Sequence, residues 1–182
     1  MRMTLYTSMI VIFVAVASLT VLMFAAPRFD WSATAKPGRL EATLAQYLIG
    51  RWIKGNSSSQ SNPLAESSEN LRLGREDFDS HCASCHGLDG SGRNQFEADF
   101  YPPVPKLAGT PRQLSDAEIY FIITHGVRLS GMPGFAARHR PDEIWRIVLW
   151  VRHLDRLSPQ ERASIEAKLS DKTEEHEEGM RE

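Results

Sequence analysis

Two cysteines and a histidine lie within five consecutive residues near the middle of this 182-residue chain. The stretch reads Cys82-Ala83-Ser84-Cys85-His86, and the chain contains only these two cysteines. A Cys-x-x-Cys-His sequence is the attachment pattern of c-type haem, in which both thiols form thioethers and the histidine ligates the iron. The sequence therefore predicts one covalently attached haem c, held by Cys82, Cys85 and His86.

Other uses of a Cys-x-x-Cys pair fit this chain less well. A structural zinc site takes four ligands, commonly two cysteine pairs or one pair with two closely spaced histidines. The histidines at 125, 139 and 153 lack that spacing. A thioredoxin-like dithiol expects a preceding strand and a βαβ setting, whereas a glycine-rich loop follows this motif. A redox dithiol and a structural disulfide remain as alternatives to haem.

A single methionine, Met132, lies in the predicted globular part, within the small-residue stretch Ser130–Phe135. A thioether is a soft ligand for haem iron, and His/Met ligation raises the reduction potential. The small neighbours allow the backbone to approach a porphyrin edge closely. We therefore predict that His86 and Met132 are the two iron ligands. Two alternatives are that Met132 only fills the core and that His125 is the second ligand.

An apolar run covers residues 5–26 and contains no charged side chain. A membrane-spanning helix needs about 20 such residues, whereas the core of a signal peptide has about 7–15. The length favours an uncleaved, single-pass anchor over a cleaved signal. A buried soluble helix is disfavoured because no polar face interrupts the run.

The flanking charges conflict with the haem motif over orientation. Arg2 precedes the apolar run, while Arg28, Lys36 and Arg39 follow it, and a count of basic residues would place the C-terminal side in the cytoplasm. The c-type linkage is made outside the cytoplasmic membrane, and long domains are translocated largely regardless of charge. We therefore expect a bacterial inner-membrane protein whose haem domain faces the periplasm.

Hydrophobic periodicity divides the rest of the chain into helices and connecting segments. An amphipathic helix is predicted over 39–54, either for the membrane interface or for packing on the haem domain or on a partner, and a flexible tether is predicted over 56–68. Further helices are predicted over 69–81, 115–124, 141–157 and 158–169, with a disordered tail over 171–182. The resulting regions are an anchor (1–27), a juxtamembrane helix and linker (28–68), a haem domain (69–157), and a short helix with an acidic tail (158–182).

The region from about 69 to 157 resembles the class I monohaem cytochromes c. The resemblance rests on the stretches 82–87 (CASCHG), 104–109 (VPKLAG), 131–133 (GMP) and 144–151 (IWRIVLWV), in this order. It implies an all-α fold with three main helices around a covalent haem, here with an N-terminal transmembrane helix added.

The resemblance also implies residue roles that the spacing alone does not. The carbonyl of Pro105 would accept a hydrogen bond from His86, and Leu107 would pack on the haem face. Gly74 and Phe78 would meet Trp150 where the first and last helices cross, with Trp145 as a second candidate. The stretch 93–103 departs from the family pattern and could cover a haem edge. Candidate propionate partners are Arg93, Tyr101, Arg112 and Arg128.

Iron with two protein ligands leaves no open position for a substrate, so we expect an electron carrier rather than an enzyme. The first hypothesis is a tethered carrier of single electrons between membrane or periplasmic redox proteins, as in a respiratory chain. The second is a fixed cytochrome subunit of a larger membrane oxidoreductase. A haem-based gas sensor, in which Met132 leaves the iron, is the third. A net charge of −2 gives no indication of a nucleic-acid partner.

Overall fold

The computed structural model describes residues 2–25, 32, 35–93, 100, 102–108 and 113–179. All regular structure in these residues is helical, as the all-α prediction requires. The helices are α1 (Arg2–Ala25), α2 (Arg39–Asn56), α3 (Ser68–His81), α4 (Ala83–His86), α5 (Asp116–His125), α6 (Pro141–His153) and α7 (Pro159–Gly179), with a 3₁₀ turn at Leu154–Arg156. They fall into two compact units, Met1–Ala35 and Lys36–Glu182.

The first unit contains the apolar helix α1. Its segment Tyr6–Phe24 is 19 residues long, with a mean hydropathy of 2.4 and none of its length buried. At 1.5 Å per residue, this length matches the hydrocarbon core of a bilayer. By length and composition, α1 is able to cross a membrane.

The second unit is built around the crossing of α3 and α6. Gly74 of α3 lies against the backbone of Arg146 on α6, and any larger residue at position 74 would strike the Arg146 carbonyl. Phe78 and Trp150 are both buried in the core at this crossing. The predicted close approach through Gly74 is thus present, but the backbone of Arg146, rather than a tryptophan ring, lies opposite it.

Local sequence signals determine where the helices of this unit begin and end. The Ser115 hydroxyl accepts a hydrogen bond from the Glu118 amide, and the Glu118 carboxylate accepts one from the Ser115 amide, which is a complete capping box at the start of α5. Gly126, at φ 69°, ends that helix. Pro141 opens α6 at a position where its missing N–H costs nothing.

Helix α7 is longer than the sequence analysis predicts. It begins with a hydrogen bond from the Glu161 amide to the Ser158 hydroxyl and extends to Gly179, past the expected end near Leu169. The expected disorder from residue 171 is therefore not seen as far as Gly179. Six acidic residues in 171–182 favoured disorder by composition, but the helix continues to Gly179.

The segment between α2 and α3 lies on the globular domain instead of forming the predicted free tether. The Asn62 side-chain amide donates a hydrogen bond to the Trp145 carbonyl at 3.0 Å, and Leu64 packs against the core. Glu66 forms an ion pair with Arg156 at 3.0 Å. A Ser- and Asn-rich composition indicates flexibility only where such contacts are missing.

Candidate haem-binding site

The Cys-x-x-Cys-His motif lies at a junction between two helices. Cys82 is the C-terminal cap of α3, where its amide donates to the Phe78 carbonyl at 2.8 Å. The short helix α4 follows at once and ends at His86. Cys82 is buried and Cys85 is half-buried, and no disulfide joins them.

The state of the Cys82 thiol argues against a redox dithiol. Burial raises the pKa of Cys82 to about 12, whereas cysteines that exchange disulfides have lowered pKa values and react as thiolates. The motif also follows a helix rather than a strand. Burial therefore disfavours the thiolate form of Cys82.

His86 is buried, with 8% of its surface exposed. Its Nδ1 lies 3.3 Å from the Pro105 carbonyl oxygen, so the Nδ1–H is the donor and Nε2 is the remaining atom for ligation. Burial lowers the pKa of His86, and the bond to Pro105 opposes that shift. The neutral imidazole, which is the form that ligates metals, is therefore favoured.

Backbone hydrogen bonds between the loop after the motif and the segment around Pro105 hold the Pro105 carbonyl beside His86. The Gly92 amide donates to the His86 carbonyl at 2.8 Å, and the Leu107 amide donates to the Gly90 carbonyl at 2.8 Å. Gly90 and Gly92 have positive φ angles of 68° and 75°, which other residues adopt at a cost. The glycine-rich stretch after the motif therefore binds the segment that contains Pro105. Leu107 is partly buried against the hydrophobic core.

The loop that contains Met132 is fastened to the C-terminal end of α5. The Phe135 amide donates to the Ile123 carbonyl at 2.9 Å, and the Ala136 amide donates to the Thr124 carbonyl at 3.2 Å. These bonds satisfy carbonyl groups that a helix end leaves without an intrahelical partner. The Val127 amide closes the loop on the Met132 carbonyl at 3.0 Å. Met132 is partly buried against the core cluster that also includes Cys82.

This loop has two further constraints that the sequence did not reveal. Leu129 has a φ of 61° although it is not glycine, and 91% of its surface is exposed. Gly131 lies directly against the ring of Phe100, so part of the non-family stretch 93–103 covers the methionine loop. Neither feature could be predicted from local sequence. Phe100 and Gly131 are 31 residues apart, and the left-handed conformation of Leu129 depends on how the whole loop folds.

The alternative iron ligand and the candidate propionate partners are exposed or lie outside the described residues. His125 is exposed, and its Nδ1 lies 3.0 Å from the Phe121 carbonyl within the same helix. Arg93 and Arg128 are exposed, and Arg93 lies 3.9 Å from Asp89. Tyr101 and Arg112 lie outside the described residues. The structure thus assigns no propionate partner.

Taken together, the donor set fits a c-type haem. It combines two sulfur atoms that are not in a disulfide, an imidazole oriented through Nδ1, and a thioether in a closely packed loop. Cys82, Cys85, His86 and Met132 are the residues that would hold the group. Pro105 would position His86 through the hydrogen bond to Nδ1, and Leu107 would contribute apolar surface beside the group.

Comparison with known proteins gives one family match. Residues 69–151, slightly less than half of the chain, match the model of the family described as cytochrome c oxidase, cbb3-type, subunit III. No curated protein matches the sequence significantly.

Two similar solved structures are cytochromes or belong to a redox complex. One is a chain of the reducing HAO-like protein complex Kustc0457/Kustc0458 from Kuenenia stuttgartiensis, with 22% identity and a TM-score of 0.43 over 50% of this chain and 46% of that one. The other is cytochrome cL from Methylophaga aminisulfidivorans, with 22% identity and a TM-score of 0.39 over 64% of this chain and 79% of that one. This chain thus spans about half the length of the first.

The helical fold, the Cys-x-x-Cys-His junction and the family match define a haem-binding electron-transfer domain. The globular part of this chain is similar to the cytochrome c domain of that family over residues 69–151, which supports the resemblance to class I cytochromes c. Haem c is the cofactor that this family implies, and electron transfer is its function.

Proposed function

We propose that this protein is a membrane-anchored c-type cytochrome that carries single electrons through one covalently bound haem. Cys82 and Cys85 form the two thioether bonds, and His86 and Met132 ligate the iron. Its donor and acceptor are redox proteins at or near the membrane. The haem supplies one-electron chemistry, and the chain supplies attachment, ligation and shielding.

The observation that carries this proposal is the placement of His86. The imidazole is buried, and its Nδ1 is engaged by a backbone carbonyl. Such a hydrogen bond fixes the ring orientation and increases the basicity of the opposite nitrogen. A histidine held in this way, one residue after a Cys-x-x-Cys pair, is arranged for ligation rather than for acid–base catalysis.

The chain limits what the iron site can do. Met132 is in a loop fixed by backbone hydrogen bonds at Val127, Phe135 and Ala136, which opposes its departure from the iron. If His86 and Met132 both ligate a bound haem iron, oxygen and peroxide would have no site at which to coordinate. Electron transfer is then the remaining activity.

The membrane role rests on α1. Its length and composition suit a single span, and thioether attachment takes place outside the cytoplasm. We therefore place the haem domain on the periplasmic side of a bacterial inner membrane. In spheroplasts, an added protease is expected to digest the haem domain while a cytoplasmic marker survives; protection of the haem domain would reverse the orientation.

Spectra of the purified full-length protein test the ligation directly. The oxidised wild type is expected to show the weak far-red absorption band of sulfur-ligated ferric haem, and Met132→Ala is expected to lose it while keeping its covalent haem. A Met180→Ala control should leave the band unchanged. Persistence of the band in Met132→Ala would reassign the second ligand.

A fixed subunit of a larger oxidoreductase is the second candidate, and one observation favours it. Asn62, Leu64 and Glu66 hold the predicted tether on the domain. The haem domain therefore cannot move on this segment between distant partners, as a mobile carrier would. Extraction of native membranes in mild detergent distinguishes the fixed subunit from the mobile carrier. Migration as a stable complex containing other redox subunits supports the fixed subunit, whereas a monomer supports the carrier.

A further inference from the structure

Helix α2 has two apolar faces, and the residues that the structure describes cover only one of them. On the covered side, α2 packs on α5: Ile53 is buried, and the ring centroids of Trp52 and Phe121 are 4.8 Å apart. α2 and α5 lie within the same compact unit. The helix is therefore part of the globular domain.

The second face is open. Leu40, Leu44, Tyr47 and Leu48 recur at helical spacing, and 83%, 53%, 63% and 54% of their respective surfaces are exposed. Four neighbouring large apolar side chains on one helix face form a contiguous patch, which is the kind of surface that marks an interaction site. We call these four residues the outer face of α2.

The charges around the outer face match a lipid surface. α2 contains Arg39, Arg51 and Lys54 and a single carboxylate, Glu41. Arg51 follows Tyr47 by one helical turn on the same face, where its long stem can lie along apolar surface while the guanidinium reaches phosphate groups. Leucine and tyrosine beside basic residues are typical of helices that lie in the membrane interface.

Chain connectivity points to the same occupant. Only residues 26–38 separate the end of α1 from the start of α2. If α1 spans the bilayer, as in the proposed function on which this inference rests, α2 emerges close to the lipid headgroups. The thirteen connecting residues span at most about 45 Å, so a bilayer surface is within reach of the outer face of α2, whereas a second copy or a partner subunit would have to be recruited.

We propose that the outer face of α2 docks on the membrane surface and holds the haem domain in one orientation there. Because α2 packs on α5, and the C-terminal end of α5 carries the Met132 loop, docking would fix the orientation of the haem site relative to the bilayer. The protein would then exchange electrons with partners at a set height above the membrane, without tumbling on a tether.

Site-directed spin labelling of the full-length haem protein in vesicles tests this proposal. The vesicles contain phosphatidylethanolamine and phosphatidylglycerol, and each variant carries one new cysteine, because both native thiols are used for haem. Leu44→Cys and Leu48→Cys report on the outer face. Gln46→Cys is the control on the exposed polar side of the same helix, and Val14→Cys reports on α1.

Collisions of the nitroxide with oxygen, which partitions into lipid, and with a water-soluble nickel chelate give the environment of each label. The labels at 44 and 48 are expected to favour oxygen, and the label at 46 is expected to favour nickel. Equal nickel access at 44, 46 and 48 would overturn the proposal, and low access to both reagents at 44 and 48 would assign the face to a protein partner instead. A water-like profile at position 14 would instead refute the anchor, so the two failures are distinguishable.

A functional variant gives an independent measurement. Leu40→Gln, Leu44→Gln and Leu48→Gln together change only exposed side chains, so the fold and haem content are expected to persist. In vesicles, trypsin cleavage after Arg51 is expected to become several-fold faster than in the wild type. An unchanged cleavage rate would contradict membrane docking.

Discussion

Gly126 is a residue on which the position of the methionine loop depends. Its φ is 69°, and a Cβ there would lie 2.5 Å from the Gly134 amide nitrogen and 2.6 Å from the Met132 carbonyl oxygen. Left-handed backbone costs about 1–2 kcal/mol for other residues, and the backbone atoms opposite cannot move without displacing the loop. The closeness of the loop to the end of α5 therefore requires glycine at position 126.

We expect Gly126→Ala to destabilise the oxidised haem protein by at least about 2 kcal/mol in guanidinium unfolding and to weaken the far-red band. The control is Gly55→Ala in α2, where no atom lies within 4 Å of the added Cβ. There, alanine should be neutral or stabilise by roughly 0.5–1 kcal/mol. Equal stability of the two variants would show that the loop is not built as described.

Leu129 presents the opposite case in the same loop, since a branched side chain occupies left-handed backbone while its surface is 91% exposed. Asparagine tolerates this conformation better than leucine. Leu129→Asn is therefore expected to stabilise the protein by up to about 1 kcal/mol in the same unfolding assay. A loss of stability would indicate that Leu129 makes a contact that compensates its strain.

Asp77 gives a pH dependence whose sign follows from its surroundings. Burial raises its pKa, partly opposed by His139. A carboxyl with a raised folded-state pKa binds its proton more tightly in the native state, so its contribution to stability is lost as pH rises through its ordinary and then its folded value. Asp77→Asn is expected to be more stable than the wild type at pH 7, with the difference shrinking as pH falls through the raised folded-state pKa of Asp77 and absent below its ordinary pKa. A difference that grows on acidification would contradict this.

At the scale of elements, the sequence predicts where most helices begin and end, because neighbouring residues determine those positions. The capping residues Ser115 and Ser158, the helix-opening Pro141 and the terminating Gly126 all act within one turn, and the helices begin and end near them. The haem motif is equally local. These features were predictable because neighbouring residues alone determine them.

Contacts between residues far apart in sequence account for the points where the structure differs from the sequence-based predictions. Composition predicted a free tether over 56–68, but one amide of Asn62 reaches Trp145, 83 positions away. Likewise, the spacing on α2 did not reveal which of its two apolar faces would meet α5. The contact of Phe100 with Gly131 falls in a stretch with no family pattern to guide prediction.

The tether contact is testable at its key residue. Asn62→Ala removes the hydrogen bond to the Trp145 carbonyl and is expected to cost about 0.5–1.5 kcal/mol, with faster hydrogen exchange across residues 57–67. Ser61→Ala, at an exposed neighbouring position, is the control and should change neither quantity. Exchange in the wild type that already matches an unfolded peptide would restore the flexible tether.

At the scale of the whole molecule, three regions serve one electron-transfer site. The α3–α6 crossing supplies the core, the glycine-rich loop after the motif orients His86 through Pro105, and the α5 terminus holds the methionine loop. α1 and the outer face of α2 would keep this site at a membrane. Each region contributes position rather than reactivity, which is the division of labour expected when the cofactor does the chemistry.

A coulometric titration of the purified full-length protein, followed by exposure of the reduced form to carbon monoxide, tests the central claim most directly. We predict reversible uptake of one electron per chain and a reduced spectrum that carbon monoxide leaves unchanged at neutral pH. A different electron count, or ready formation of a carbon monoxide complex, would show that the iron is not held by both His86 and Met132 and that the protein is not a simple electron carrier.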